Sequence, residues 1–232
     1  MKYLKFSFCV FLLFTSFINA QKKEITLENI WNGSFRTERM DVLHSLANGQ
    51  QYSVLNFDRN TGSTFIDIYN YKTLEKAQRL VSSETIPELR YFSDYSFSTD
   101  EQKVLLATEV EQLYRHSTKG VYFVYDINTK KVVKVHNEKI QQPMFSPDGN
   151  KVAFALDNNL FIKDLVADRV TQITSDGEYN RIINGITDWV YEEEFAFVRA
   201  FDWNVSSTKI AYIKFDETKV PEFSMDVYGT GL

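Results

Sequence analysis

The chain has 232 residues, a formal net charge of −5 and 44% hydrophobic residues, with 15% aromatic. That apolar content is enough for a buried core and excludes a disordered chain, while an acidic balance without a basic cluster excludes a nucleic-acid binder. A single cysteine, Cys9, excludes a disulfide framework and a cysteine-ligated metal site.

Lys2 and Lys5 precede an apolar run from Phe6 to Ile18, and Ala20 follows. A charged start, a stretch too short to span a bilayer comfortably and a small residue at its end are the layout of a secretory signal peptide, so residues 1–20 are predicted to be removed before Gln21. An uncleaved membrane anchor is the alternative, because Ile18 is larger than the residue usual at its position. Cleavage leaves a chain of net charge −7 with no thiol. That chain is expected to be periplasmic or secreted, with no membrane association.

From Gln21 onward the pattern is a degenerate repeat, in which an aromatic residue is followed six to seven positions later by a lysine and an apolar strand. The copies are Phe97-Ser98 with Lys103-Val104-Leu105, Phe145-Ser146-Pro147-Asp148-Gly149 with Lys151-Val152-Ala153, and Asp202-Trp203 with Lys209-Ile210-Ala211. A fainter copy runs through Asn48-Gly49 into Tyr52-Ser53-Val54-Leu55. Ser-Pro-Asp-Gly is turn chemistry, because Pro147 fixes φ and Gly149 accepts a positive φ, so each copy reads as strand, tight turn, strand. A second landmark follows: Tyr125-Asp126-Ile127 returns on Val132-Val133, and Lys163-Asp164-Leu165 returns on Val170 and Ile173. Asp126 to Asp164 and Val132 to Val170 are both 38 residues, which places the two hairpins in register. Repeats of ~40 to 50 residues built from about four short strands predict an all-β propeller. The chain holds about four blades, so it reads as the N-terminal, incomplete part of a propeller. A β-sandwich with similar turns is the competing fold.

Two insertions interrupt the repeat, and insertions into blades emerge as loops that commonly bind ligands. The first lies within Thr108 to Gly120 and includes Tyr114-Arg115-His116; the second lies within Ser175 to Phe195 and includes Asp188-Trp189-Val190-Tyr191-Glu192-Glu193-Glu194. The second predicts a short helix capped by Asp188, with Ile186, Trp189 and Val190 sharing an apolar side. Three adjacent glutamates at about 5 Å and an effective dielectric near 20 repel by roughly 3 kcal/mol per pair before solvent relaxes them. The run therefore reads either as a cation site or as a solvated face, and Arg115 either as a ligand contact or as a surface charge.

Residues 188–194 resemble the dipeptidyl peptidase IV family, whose propeller carries an Asp-Trp-Val-Tyr-Glu-Glu-Glu motif that this sequence matches without a gap. Asn184-Gly185-Ile186-Thr187, Val220-Pro221 and the early Ile25-Thr26-Leu27-Glu28-Asn29-Ile30-Trp31 extend the resemblance. It implies an eight-bladed propeller joined to an α/β-hydrolase domain that removes Xaa-Pro or Xaa-Ala dipeptides from free N-termini, as a serine peptidase without a cofactor or metal. It further implies that Glu193 and Glu194 hold the substrate's α-ammonium and that Arg115 binds the carbonyl oxygen of the N-terminal residue. Tyr114-Arg115-His116-Ser117 fits the family's aromatic-Arg-His-Ser pattern, with tyrosine in place of the expected tryptophan. The implied partners are peptides with free N-termini and the protein's own C-terminal hydrolase domain, and homodimerisation is left open.

No Gly-X-Ser-X-Gly elbow occurs, and His44, His116 and His136 show no base-like pairing with an acid and a serine. The 232 residues are thus expected to be inactive alone, their catalytic Ser, Asp and His lying in the absent domain. A second reading is a non-catalytic periplasmic propeller that binds peptides or proteins.

Overall fold

The computed structural model describes residues 24–37, 41–224 and Gly229. The predicted signal peptide, with Cys9 and its cleavage point, lies outside the described residues. The chain divides into two compact units, Met1–Asp41 and Val42–Leu232. In the first, helix α1 (Leu27–Trp31) starts at Thr26, whose side chain caps it by accepting from the Asn29 backbone N–H at 3.2 Å.

The second unit is built of antiparallel sheets. The first blade is β1 (Leu43–Ser45), β2 (Gln51–Phe57), β3 (Thr64–Asn70) and β4 (Lys76–Ser82), paired in that order. The next is β5 (Asp94–Phe97), β6 (Lys103–Gln112), β7 (Thr118–Asp126) and β8 (Val132–Lys134), and the third is β9 (Gln141–Phe145), β10 (Lys151–Leu156), β11 (Asn159–Asp164) and β12 (Arg169–Gln172). Then β13 (Ile182–Asn184) precedes β14 (Phe201–Trp203), β15 (Ile210–Tyr212) and β16 (Lys214–Asp216). The last two follow one another with a single residue between them: β15 pairs with β14, and β16 continues past it to pair with β13.

The repeat read from the sequence is present in the backbone hydrogen bonds. The first turn of each blade closes with the same pair of bonds. At Leu46 they run from Gly49 N–H to Leu46 O and from Leu46 N–H to Gln51 O, and the same pair recurs at Ser98, Ser146 and Asn204. All four turns need one left-handed residue, supplied by Gly49 (φ 64), Glu101 (φ 54), Gly149 (φ 67) and Ser207 (φ 56). Ser98 and Ser146 rigidify two of them, each hydroxyl donating to an aspartate two residues on and accepting the backbone N–H of the lysine that opens the next strand. The second landmark recurs as well: Asn70, Asp126 and Asp164 are each followed four residues later by a left-handed residue, Leu74, Lys130 and Asp168. Asp126 and Asp164 hold their turns by accepting two backbone N–H groups each.

Because a strand points alternate side chains to opposite faces, a blade covered on both sides needs continuous apolar runs in its central strands. In β6, Val104 and Leu106 pack with Ile66, Val81 and Phe92, while Leu105 packs with Ile140, Val152 and Phe154. In β10, Val152 and Phe154 face that second cluster, and Ala153 packs with Leu160 and Phe201 toward the following sheet. The blades therefore stack face to face, as a propeller requires and a two-sheet sandwich does not. Polar ties join neighbouring blades, with Ala47 N–H donating to the Glu101 carboxylate at 2.7 Å and Asp148 N–H to the Ser207 hydroxyl at 3.0 Å.

Topology places the two insertions together. The first turn of each blade lies at one end of the strands, so the β6–β7 hairpin and the connection leaving β12 both emerge at the other. The first insertion is less a loop than an extension of that hairpin. Strand β6 runs on to Gln112 after a register shift between Thr108 and Glu111, and β7 resumes at Thr118. The second contains β13 and helix α2 (Trp189–Phe195).

Candidate functional site at the two insertions

Helix α2 begins where the sequence places its cap. The Asp188 carboxylate accepts from the Tyr191 N–H at 2.9 Å, and Ala196 ends the helix in a left-handed conformation at φ 50. Its apolar side is different from the expected one. Ile186 is buried, but Trp189 and Val190 are half exposed and Phe195 is 69% exposed. The buried residue of the helix is a glutamate, Glu192, at 3% exposure. The helix meets the protein in two ways: the Tyr191 ring packs edge-on against Phe215 of β16 at 5.2 Å, and Glu192 faces backbone N–H groups of the other insertion, a surface that suits a carboxylate.

Those N–H groups belong to the tip of the β6–β7 hairpin, closed by a bond from Leu113 N–H to Ser117 O at 3.0 Å. One carboxylate oxygen of Glu192, Oε1, accepts from the backbone N–H of His116 and of Ser117, each at 2.8 Å. Arg115, one residue earlier, extends its guanidinium to Glu193, with Nη2 2.8 Å from Oε1. Glu194 is exposed.

Of the three residues singled out from the sequence, the structure thus brings Arg115 and Glu193 into contact from separate insertions and leaves Glu194 exposed, next to Glu193 in the helix, with no ion pair or side-chain hydrogen bond among the described residues. The predicted mutual repulsion is relieved within the protein for two of the three glutamates. Successive helical residues point about 100° apart, so Glu192 turns inward to two N–H dipoles and Glu193 turns to a cation. Glu192 is the residue that sequence reasoning passed over, because nothing in a run of three identical side chains marks the one that faces the protein.

An open depression of about 1010 Å³ adjoins this contact, and Tyr114, Ser117, Asp188, Trp189, Glu192 and Glu217 are part of its lining. Burial pushes the Glu217 carboxyl above its ordinary range, and the nearby Asp188 charge pushes it further. Ser117 Oγ is buried without a hydrogen-bond partner among the described residues. Two of the histidines serve packing. The His44 ring meets Tyr95 edge-on at 4.8 Å, and His136 lies 5.5 Å from Phe154.

The arrangement is suited to an organic cation. Three carboxylates and one guanidinium leave a formal local charge of −2; Glu192 is held by two backbone N–H groups, so Glu193 and Glu194 are the carboxylates left to face an ammonium. A unit charge 4 Å from a carboxylate gains roughly 4 kcal/mol at an effective dielectric of 20, less where water screens it. The planar guanidinium sets Nη2 against Glu193 and keeps other N–H donors for an oxygen acceptor.

Residues 98–231, more than half of the chain, match the family described as the dipeptidyl peptidase IV (DPP IV) N-terminal region. Human prolyl endopeptidase FAP is 32% identical over 210 residues, covering 89% of this chain and 26% of the relative. A Podospora anserina protein described as "Probable dipeptidyl-aminopeptidase B" is 30% identical over 226 residues, covering 89% of this chain and 24% of its own length. The crystal structure of Porphyromonas gingivalis dipeptidyl peptidase 4 superposes with a TM-score of 0.80 at 35% identity, covering 91% of this chain and 30% of that one. The chain spans about a quarter of the length of the curated relatives it matches. Propeller blades, paired insertions and similarity across nearly all of its length together make this chain a member of the dipeptidyl peptidase IV N-terminal region family.

Proposed function

We propose that this chain is the amine-recognition part of a secreted serine dipeptidyl peptidase that releases Xaa-Pro or Xaa-Ala dipeptides from free peptide N-termini. The observation that carries the reading is the contact between Arg115 and Glu193, 2.8 Å apart on two insertions that share one end of the blades, with Glu194 next in the helix. A peptide α-amino group, with a pKa near 8, is mostly an ammonium at pH 7 and offers three donors. Glu193 and Glu194 clamp it, and Arg115 donates to the carbonyl oxygen of the first residue.

An extended peptide advances at most ~3.6 Å per residue, so a fixed amine determines which peptide bond reaches a nucleophile. The clamp acts as a ruler for cutting after the second residue. The hydrolytic step belongs to a catalytic domain of the α/β-hydrolase type joined to this propeller, and residues 1–20 direct export. The test is kinetic. In a protein that carries this chain together with such a domain, Glu193→Gln plus Glu194→Gln should lower kcat/KM for Xaa-Pro substrates by at least about 10²-fold, as loss of two charge-assisted hydrogen bonds of about 1.5–3 kcal/mol each implies. Unchanged kcat/KM rejects the reading.

A further inference from the structure

We propose that Glu192 is a positioning residue that sets Arg115, by clamping the tip of the β6–β7 hairpin to helix α2. The inference deepens the proposed function, since it rests on Arg115 as the group that meets the substrate carbonyl.

Arg115 cannot hold itself in place. Its side chain is 69% exposed while that of Glu193 is 18% exposed, so the pair between them is open to water on the arginine side, where screening weakens its hold on Arg115. The hairpin tip has little of its own to fix it. Among the described residues, what it has beyond the Leu113–Ser117 backbone bond is the Gln112 side-chain amide, donating to the carbonyls of Tyr114 and Ser117. The next two backbone donors, on His116 and Ser117, find their only acceptor among the described residues in Glu192.

Hydrogen bonds from N–H groups to a carboxylate shielded from water are stronger than neutral ones. Glu192 is 3% exposed and Ser117 is 4% exposed. Of the two links between the insertions, the Glu192 clamp rather than the Arg115–Glu193 pair is therefore the one that fixes geometry. Because Glu192 and Glu193 are consecutive in α2, one helical turn holds the backbone beside Arg115 and receives its guanidinium. The carboxylate clamp and the arginine then move as one body.

The experiment is amide hydrogen exchange by NMR on the full 232-residue chain. Glu192→Ala should speed exchange at His116 and Ser117 by about tenfold or more, the least that loss of one hydrogen bond to a charged acceptor implies. The amides of Leu106 and Val124 in β6 and β7 should keep their protection, and the Arg115 side-chain resonances should move toward those of a free arginine. Glu192→Gln keeps an oxygen that can accept both N–H groups, so it should restore most of the protection and the Arg115 resonances. Glu193→Gln should leave the two amides protected.

Unchanged exchange at both amides in Glu192→Ala, loss spread equally through β6 and β7, or no rescue by glutamine would overturn the assignment. Should Glu192→Ala not fold, Glu192→Asp carries the same test: faster exchange confined to His116 and Ser117 supports the clamp, and any other pattern refutes it. Exchange is read without a peptide, so a chain that binds no free-amine peptide removes the proposed function and leaves the clamp standing.

Discussion

Gly177→Ala tests how the second insertion is seated. A Cβ at Gly177 would lie 2.4 Å from the carbonyl oxygen of Asn158 and 2.6 Å from both its carbonyl carbon and the Asn159 side-chain nitrogen. Ordinary carbon contacts need about 3.5 Å or more, so the two segments must separate by roughly 1 Å. The hairpin side cannot yield easily. Asp157 (φ 46) and Asn158 (φ 58) form the two-residue loop between β10 and β11, a geometry that requires both residues left-handed. The Asn158 carbonyl also accepts from the backbone N–H of Asn184, a fully buried residue, at 3.0 Å. The loop at Gly177 has to move, weakening the bond from its N–H to Asn159 Oδ1 at 2.9 Å.

Overpacking of this kind costs about 1–3 kcal/mol and the weakened bond about 0.5–1.5 kcal/mol, so the expected loss is about 1.5–4.5 kcal/mol. Urea unfolding followed by tryptophan fluorescence would read it as a lower midpoint at an unchanged m value. The same displacement should loosen α2 and with it the approach of Glu193 to Arg115. A stability within about 0.5 kcal/mol of the wild type would show that the close approach at Gly177 is not a constraint and refute the argument.

Asp188→Ala removes the cap of α2 and should destabilise the segment by about 1 kcal/mol, read as faster amide exchange at Tyr191 and its neighbours. The same change should let the Glu217 carboxyl titrate lower by NMR while burial still holds it above its ordinary range; no movement would separate Asp188 from that shift. Acid stability follows from the turns. In Asp126 the Thr129 N–H lowers the carboxyl, and in Asp100 and Asp148 burial raises it but hydrogen bonds and a neighbouring lysine outweigh that, so all three sit below their ordinary range. A depressed folded value means the contribution is complete above about pH 5 and fades as pH falls through the folded values below about 4. The Asp100→Asn, Asp148→Asn double variant should therefore lose less stability than the wild type between about pH 5 and pH 3. Parallel losses would contradict this.

The blade repeat was legible because tight turns demand particular residues: Asn48-Gly49 and Pro147-Asp148-Gly149 announce a left-handed position, and strands follow on both sides. The first copy was faint because Leu46 replaces the serine that anchors the turns at Ser98 and Ser146. The insertions were legible as excess length in an otherwise regular spacing, and the family motif made Glu193, Glu194 and Arg115 candidates. The orientation of the glutamates was not legible, since the helical period sends neighbouring side chains in different directions and only the partner insertion decides which one is buried. The apolar side assigned to Trp189 and Val190 failed for the same reason: the helix packs through Tyr191 on Phe215 and through Glu192 on backbone N–H groups, and composition does not reveal which residues those are. Gly177 was invisible too, because a glycine in a polar loop looks alike whether it is needed for a turn or for space.

The most direct measurement is the affinity of this chain for an Xaa-Pro peptide with a free amine against the same peptide N-acetylated, by NMR titration. The account predicts at least about tenfold tighter binding of the free amine, the worth of one charge-assisted hydrogen bond, and loss of that preference in the Glu193→Gln, Glu194→Gln variant. Equal binding of the two peptides would contradict it.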